Sequence, residues 1–212
     1  FDEARRREDL TLLELARSTA RTPFGLRRSR AFHMDLDSGE IFVEHSYEGL
    51  EDSSSPSVGP FPRRIHAGLT MVMPGIAPAP IRLMQYVILP APAETDLLRL
   101  KKYSLDTVGE ARDRLRGVVD AARAPYPAFV VFSPALVSTR EGRVSLTDGE
   151  GTPLPLAHRI DPPACEALGL IAHRSRIHCV AALMVWTGRE IALNPLSLLL
   201  EDGRGLSLLR LR

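Results

Sequence analysis

Residues 31 to 43 read AFHMDLDSGEIFV, and this stretch decides the fold class. Apolar side chains occupy every second position from Phe32 to Leu36, with polar side chains between them. Because successive side chains of a β-strand point to opposite faces, this alternation predicts a half-buried strand. Ser38-Gly39 supplies a tight turn and Ile41 to Val43 returns, which predicts a β-hairpin.

Short apolar runs separated by turn residues continue along the chain. We predict further strands at 69–73, 81–89, 128–132, 135–139, 144–146, 153–156, 177–186, 190–193, 197–200 and 206–211. The turns between them contain Gly, Pro, Asn or Asp, which favour sharp backbone bends. Many short strands joined by tight turns, together with a few helices, predict an α+β fold with mainly antiparallel pairing.

Two segments have clear helical character and a third is short. The first helix is predicted over Thr11 to Ala20, where Thr11 and Glu14 form a capping-box pattern before an apolar run. The second is predicted over Asp106 to Ala122, where apolar residues recur at helical spacing. The short third helix starts at Asp161, an N-cap residue type that is followed by two prolines.

A boundary near residue 100 is expected to divide the chain. Residues 1–100 would hold the N-terminal helix and antiparallel strands, and residues 101–212 a helix followed by a β-rich part. The alternative is one compact domain. Residues 46–63 are rich in Ser, Pro, Gly and acidic side chains, which predicts a loop.

The chain has 212 residues, with 27 basic and 26 acidic side chains and a formal net charge of +1. At 44% hydrophobic and 25% charged, its composition is that of a globular protein and excludes disorder. The charge balance argues against general coating of nucleic acid or membranes, although a local patch is compatible with it. All of the Lys and Arg residues except Lys101 and Lys102 are arginine. This bias indicates either a GC-rich genome or recognition of anions by guanidinium groups.

The chain contains two cysteines, so it has no disulfide framework and is predicted to be cytoplasmic. Its longest apolar run covers residues 179–186, whereas a membrane-spanning helix needs about 20 residues. We therefore expect no membrane partner. The chain opens at Phe1 without an apolar signal core, and we expect a domain trimmed from a longer polypeptide.

Arginine clusters are the strongest candidates for a binding surface. Arg27, Arg28 and Arg30 form the densest group, with Phe24 and Phe32 nearby, and Arg63-Arg64 form a lesser group. Together they could bind a phosphate backbone while an aromatic ring stacks on a base. The alternative is a solvated loop whose arginines pair with neighbouring acids.

Carboxylates on the first hairpin are a weaker candidate for a metal site. Asp35 and Asp37 project from one strand face and Glu44 could lie opposite, so the three could hold Mg²⁺ or act in acid–base catalysis. The alternative is the solvent face of a half-buried sheet. Among the zinc-ligand types, His178 and Cys179 are adjacent in a predicted strand and would point to opposite faces.

Patterns for nucleophilic catalysis are missing from the sequence. No serine lies in a Gly-x-Ser-x-Gly elbow, and neither cysteine lies in a recognisable hydrolase motif. Gly149-Glu150-Gly151 lacks the Lys-Ser/Thr ending of a P-loop and reads as a hairpin turn. We therefore predict no catalytic residue, metal or cofactor.

The segment Val144 to Leu156 resembles the strand–Asp-x-x-Gly–strand hairpin in the C-terminal region of bacterial SWIM-type zinc-finger proteins. The stretch from Pro74 to Leu83 is similar to the Pro-Gly-Ala-x-Pro-Leu-Arg stretch of that region. The Cys-x-Cys…Cys-x-His signature of the zinc finger is absent from this chain. The resemblance therefore implies an accessory region that works through interactions, with no zinc ligand to assign.

Three hypotheses follow from the sequence. The first is a non-catalytic protein-interaction or scaffold module of a bacterial multi-protein system. The second is a nucleic-acid-binding protein that uses Arg27, Arg28 and Arg30. The third is a metal-dependent enzyme built around Asp35, Asp37 and Glu44.

Overall fold

A computed structural model describes residues 4–22, 24–48, 61–75, 77–122, 127–140, 143–187 and 190–211. The chain forms two compact units, Phe1–Asp96 and Leu97–Arg212. Within the described residues, three helices and predominantly antiparallel strands make up these units, so the predicted α+β class is confirmed. No helix in these ranges is long and apolar enough to cross a membrane.

The first unit is a five-stranded β-barrel. Its strands are β1 (Arg5–Arg21), β2 (Arg27–Asp35), β3 (Ile41–Glu48), β4 (Arg64–Val72) and β5 (Ala79–Leu89). They pair in the order β1-β2-β3-β5-β4, and β4 pairs with β1 to close the sheet. Only β3 and β5 run parallel, over a short stretch. A five-stranded barrel with this strand order resembles the Greek-key barrel of OB-folds. The barrel core is formed by Leu10, Leu12, Phe42, Ile65, Ala67 and Ile81.

The helix predicted over Thr11 to Ala20 is wrong, because Arg5–Arg21 form the long strand β1. Side chains on both faces of its middle part, Leu12 to Ala16, are buried. The sequence there lacks the polar–apolar alternation of a half-buried strand, so its apolar spacing imitates that of a helix. β1 pairs with β4 through its first part and with β2 through its last part, and so closes the barrel.

The hairpin predicted around Ser38-Gly39 is confirmed as β2–β3, with Met34 opposite Ile41. The Asp35 carboxylate accepts hydrogen bonds from the Ser38 backbone N–H (3.2 Å) and hydroxyl (2.6 Å). Of the loop predicted over 46–63, residues 46–48 belong to β3 instead, and residues 49–60 lie outside the described residues.

The carboxylate of Glu14 is fully buried and binds two guanidinium groups. Nε of Arg63 lies 2.6 Å from Oε2 of Glu14, and Nη2 of Arg17 lies 3.1 Å from the same oxygen. The backbone N–H of Glu14 also donates to the carbonyl oxygen of Arg63 (2.8 Å). Glu14 therefore ties β1 to the residue that leads into β4.

Glu44 and His33 extend this buried network. Oε2 of Glu44 lies 3.4 Å from Nε2 of the fully buried His33 and 3.8 Å from Nη2 of Arg63. The contact with His33 outweighs the opposing effect of burial and lowers the pKa of Glu44. For Glu14, burial would raise the pKa, but the hydrogen bond from Arg17 and the charge of Arg63 together outweigh it. Both carboxylates are held in their charged form.

The elements that follow the barrel strands are three helices and seven strands within the described residues. The helices are α1 (Glu94–Lys102), α2 (Val108–Ala122) and α3 (Pro162–Ala172). The strands are β6 (Ala128–Phe132), β7 (Leu136–Arg140), β8 (Arg143–Thr147), β9 (Pro153–Pro155), β10 (Arg176–Trp186), β11 (Ile191–Asp202) and β12 (Gly205–Arg210). They form a four-stranded sheet, β12-β11-β10-β6, and a three-stranded sheet, β7-β8-β9. Helix α2 packs on β6, and α3 packs on β7, β8 and β11.

The second predicted helix is confirmed as α2, together with its capping box. Glu110 accepts hydrogen bonds from the backbone of Asp106 and Thr107, and its own N–H donates to Oγ1 of Thr107. Asp148, in the turn after β8, accepts a further bond from the Val108 N–H (2.9 Å). This backbone hydrogen bond, joined by others from the turn, lowers the pKa of Asp148. The Gly149-Glu150-Gly151 segment is therefore a hairpin turn, as predicted, and the structure adds that Asp148 anchors this turn to the N-terminus of α2.

The short third helix is confirmed as α3, with Asp161 accepting a hydrogen bond from the Ala164 N–H at its N-cap. Helix α1 was not predicted. The two strands predicted over 190–193 and 197–200 form the single strand β11. Pro195 does not interrupt β11, because it lies opposite Ala182 next to a register shift, where a missing N–H is tolerated.

We predict that Glu14→Gln lowers the free energy of unfolding by roughly 3 kcal/mol, because Arg17 loses its buried counter-charge and Arg63 keeps only the longer contact with Glu44. Urea denaturation at neutral pH measures the change. The matched control is Glu8→Gln, since the side chain of Glu8 is 55% exposed and pairs with Arg6 on the surface. Glu8→Gln should lower the free energy of unfolding by less than about 1 kcal/mol. Equal costs for the two variants would contradict a structural role for Glu14.

The Glu14 carboxylate should also make the free energy of unfolding depend on pH in the acidic range. The pKa of Glu14 is lower in the folded chain than its ordinary value of 4.5, so ionised Glu14 stabilises the fold above about pH 4.5. This contribution is lost as the pH falls through the lowered folded pKa. We expect Glu14→Gln to flatten the acid side of the curve of unfolding free energy against pH. A variant curve parallel to that of the wild type would contradict this prediction.

Candidate nucleic-acid interface

Basic and aromatic side chains share one face of strands β2 and β3. In the ladder, Arg28 lies opposite Tyr47 and Arg30 lies opposite His45. Directly opposite residues of antiparallel strands point to the same side, as do residues two positions apart on one strand. These four side chains therefore share one surface, which we call the β2–β3 face. Tyr47 is 58% exposed and the other three are partly buried.

Arg30 is held in place by two contacts. Its Nε donates to Oγ of Ser18 on β1 (3.1 Å), and its guanidinium carbon lies 5.8 Å from the centre of the Phe32 ring. Phe32 is buried, so the ring beneath the charge is fixed. A cation over an aromatic ring is attracted to the ring quadrupole, so this arrangement orients the charge of Arg30.

His45 and Tyr47 form a pair of stacked rings. Their centres are 6.4 Å apart and their planes differ by 19°. Burial lowers the pKa of His45, and the charges of Arg28 and Arg30 lower it further. At neutral pH the His45 ring is thus uncharged and adds no repulsion to the two arginines.

Arg28 retains hydrogen-bonding capacity. Within the described residues its Nε, although buried, has no hydrogen-bond partner. Arg28 as a whole is only partly buried, so a ligand can reach the exposed part of its side chain. A guanidinium binds phosphate oxygens in a planar, two-point geometry, so Arg28 can bind an anion at this face.

The loop between β1 and β2 presents a further aromatic ring. Phe24 is 91% exposed, and the turn around it is closed by hydrogen bonds from Thr22 N to Leu26 O (2.8 Å) and from Gly25 N to Thr22 O (3.0 Å). Gly25 has a φ of +80°, a conformation that favours glycine. The loop leads directly into β2, so Phe24 borders the end of that strand.

The structure separates the five arginines predicted as one binding group. Arg28 and Arg30 lie together on the β2–β3 face, whereas Arg27 points to the other side of the same strand. Arg63 is bound to Glu14, and Nε of Arg64 lies 3.2 Å from Oδ2 of Asp96. Arg63 and Arg64 thus serve ion pairs of the barrel unit, and two of the five arginines form the shared face.

The structure does not bring Asp35, Asp37 and Glu44, the candidate carboxylates of the first hairpin, together at one metal site. The Asp35 carboxylate accepts hydrogen bonds in the hairpin turn, Asp37 is exposed, and Glu44 contacts His33 and Arg63. In the part of the chain that the structure describes, no three or more His, Cys, Asp or Glu residues are grouped to hold a metal ion. The enzyme hypothesis therefore has no site on this hairpin.

The other polar candidates also have local roles. Nε2 of His178 lies 2.9 Å from Oε2 of Glu201, and His173 caps the C-terminus of α3. Cys165 and Cys179 are both buried, and neither forms a disulfide bond. Burial raises the pKa of Cys165 to about 11 and that of Cys179 to about 12.

His45 and Tyr47 are functional candidates that the sequence reasoning missed. The sequence pattern predicts a strand only over Ile41 to Val43 and a loop over 46–63, which includes Tyr47. Extending the alternation through His45 and Tyr47 would have placed both on one face. The available signal was the every-second-residue pattern across the hairpin.

Comparison with known proteins gives no relative: the chain matches no protein-family model, no curated protein and no solved structure. The resemblance of Val144 to Leu156 to the SWIM-associated region therefore stays a prediction. The structure adds that this segment is a hairpin, β8–β9, whose turn includes Gly151 at a φ of +82°.

We predict that neither thiol reacts in the folded protein. The thiolate is the reactive form, and the raised pKa values of Cys165 and Cys179 leave almost none of it at pH 8. Ellman's reagent should label both thiols in denaturant and neither under native conditions. Rapid labelling of the native protein would show that at least one thiol is accessible and activated.

Proposed function

We propose that the barrel unit binds single-stranded nucleic acid on the β2–β3 face. The observation that carries this proposal is the placement of Arg28 and Arg30 beside the stacked rings of His45 and Tyr47. Arginines supply charge for the phosphates, and flat rings supply platforms for bases. The net charge of +1 is compatible with a localised site of this kind.

The architecture of the unit supports the same proposal. In OB-folds, the face of strands 2 and 3 and the loops around it bind oligonucleotides and oligosaccharides. The β2–β3 face and the loop carrying Phe24 occupy these positions in the barrel. A fold alone does not define a function, so the proposal rests on the side chains and uses the fold as supporting analogy.

A single strand fits this surface better than a duplex. Stacking on Tyr47 or Phe24 requires the face of a base, and in a duplex that face is covered by neighbouring base pairs. An unpaired strand can turn its bases toward the rings while its phosphates approach Arg28 and Arg30. Hydrogen-bond readout of base edges is not needed, so we expect weak sequence preference.

The charge contribution is tested by the double variant Arg28→Ala/Arg30→Ala. We expect weaker binding of a fluorescein-labelled oligo-dT strand by anisotropy, and a salt-dependence slope smaller by about 1.4, because each phosphate contact on a single strand contributes about 0.7. The matched control, Arg112→Ala/Arg114→Ala, removes the same charge from exposed positions of α2. The proposal is contradicted if wild-type protein fails to bind at low salt or if both double variants weaken binding equally.

The stacking contribution is tested at Tyr47. Tyr47→Ala should weaken binding about tenfold, since a base stacked on an aromatic ring contributes on the order of 1–3 kcal/mol. Tyr47→Phe keeps the ring and should retain binding. The slope of affinity against salt should stay the same in both variants, because no charge is removed. Equal loss in the two variants would indicate that the hydroxyl group, and not stacking, matters.

The protein-interaction or scaffold module is the second candidate function. It is supported by large apolar side chains that remain exposed on strand β5, among them Tyr86, Val87 and Ile88. The SWIM resemblance also implies an accessory, interacting region of a bacterial protein. A cytoplasmic location, where the two thiols stay reduced, belongs to this proposal. Native mass spectrometry of the protein from its source cell should reveal a stoichiometric assembly, and a solitary monomer would contradict this candidate.

A further inference from the structure

A cavity of about 340 Å³ lies among the elements that follow the barrel strands. Its lining consists of Lys101, Ala172 and residues 133–137 and 175–178, and we call it the basic pocket. These residues come from the end of α1, the segment from β6 into β7, the end of α3 and the start of β10. All of them belong to the unit Leu97–Arg212. Small-molecule sites usually measure about 300–1,000 Å³, so this pocket is large enough for a small ligand.

The side chains that line the basic pocket are either basic or uncharged. Lys101, Arg176 and His178 are the basic ones, and no Asp or Glu is among the described residues that line it. Lys101 and Arg176 are exposed, and neither forms an ion pair with another residue in the described ranges. A concave site lined by charges of one sign attracts ligands of the opposite sign. The pocket is therefore suited to an anion.

Glu201 is the acidic residue that faces this end of β10. It lies opposite Arg176 in the β10–β11 ladder, and its Oε2 lies 2.9 Å from Nε2 of His178. Glu201 does not line the pocket, but its charge weakens the positive potential of the two exposed cations. Its carboxylate is held by His178, so Lys101 and Arg176 remain available to a ligand.

The ends of helices α1 and α3 border the pocket, and a helix C-terminus carries a partial negative charge. The carbonyl oxygen of Lys101 accepts hydrogen bonds from the hydroxyl (2.8 Å) and the N–H (3.4 Å) of Ser104. The carbonyl oxygen of Ile171 accepts from the N–H groups of Arg174 (2.9 Å) and Ser175 (3.0 Å). These hydrogen bonds satisfy the two carbonyl groups and reduce their repulsion of an anion.

The segment from β6 into β7 is fixed on both sides. Ser133 donates from its N–H to the carbonyl oxygen of Leu105 (2.9 Å) and from its hydroxyl to that of His178 (3.1 Å). The N–H of Ala135 donates to the carbonyl oxygen of Thr147 (2.8 Å). The wall of the pocket is thus formed before a ligand binds, which lowers the entropic cost of binding.

We propose that the basic pocket binds a small organic phosphate monoester. The phosphate group would contact Lys101 and Arg176, and the organic part would cover the apolar side chains of the lining, among them Leu136, which is 58% exposed. A phosphate monoester carries close to two negative charges at neutral pH, which match the two cations, whereas a carboxylate carries one. A guanidinium also binds phosphate oxygens at two points. This site is additional to the β2–β3 face.

Phenyl phosphate is the probe, titrated into the full chain at constant ionic strength and followed by two-dimensional amide NMR spectra. We expect saturable shifts at the amides of residues 133–137 and 175–178, with a dissociation constant on the order of 1 mM for so small a ligand. Benzoate has the same ring and one charge, and inorganic phosphate has the charge without the ring. Both should bind more weakly than phenyl phosphate.

The double variant Lys101→Ala/Arg176→Ala should weaken the binding of phenyl phosphate at least about tenfold, because it removes both charged contacts. The matched control, Arg112→Ala/Arg114→Ala, removes the same charge from exposed positions of α2 and should bind like the wild type. Thermal unfolding without ligand checks that each variant is folded. Binding of oligo-dT by Lys101→Ala/Arg176→Ala should equal that of the wild type, which separates this inference from the nucleic-acid proposal.

Glu201→Gln gives a test of opposite sign. The amide can still bond to His178 but removes the negative charge beside Arg176, so phenyl phosphate should bind more tightly. The inference is supported by saturable shifts at the pocket, lost in Lys101→Ala/Arg176→Ala and kept in the control. It is overturned by shifts confined to the β2–β3 face, by no saturable shift, by equal weakening in both double variants, or by benzoate that binds as tightly as phenyl phosphate.

Discussion

The barrel depends on one buried carboxylate. Glu14 has no exposed surface, and it binds the guanidinium groups of Arg17 on its own strand and Arg63 at the entrance to β4. A buried carboxylate is tolerated only when its charge and lone pairs are matched, so these contacts define how β1 and β4 meet. Because β1 also pairs with β2 along its second half, its contact with β4 closes the barrel.

The candidate binding face is a consequence of this arrangement. Residues of β2 and β3 that point toward the network, such as His33 and Glu44, are buried or paired. Arg30 on β2 and His45 on β3 lie opposite each other and point to the other face of the same two strands. One hairpin thus supplies both the charged interior of the barrel and a basic, aromatic surface. Because successive side chains of a strand point to opposite faces, the charged interior residues and the basic, aromatic surface residues lie on opposite sides of the hairpin.

Local chemistry made part of the fold predictable. Turn residues located the β2–β3 hairpin, and a capping box located α2, because both signals depend on neighbours a few residues apart. The same kind of signal failed at β1. Thr11 and Glu14 have capping-box spacing, but Glu14 binds arginines instead of a helix N-terminus. The second guanidinium that binds Glu14 belongs to Arg63, which is 49 residues away along the chain and beyond the reach of any local pattern.

By itself, the sequence determined the α+β class, most strand positions and the presence of an arginine-rich segment near Arg28. These depend on side-chain period and turn preference, which act within a few residues. Only the tertiary structure decided that Arg28 and Arg30 share a face with His45 and Tyr47. It likewise decided that Arg63 forms an ion pair with Glu14. It also decided that β5 pairs with β4 on one side and, over a short parallel stretch, with β3 on the other. Register and barrel closure set these outcomes, because they bring together residues that are distant along the chain.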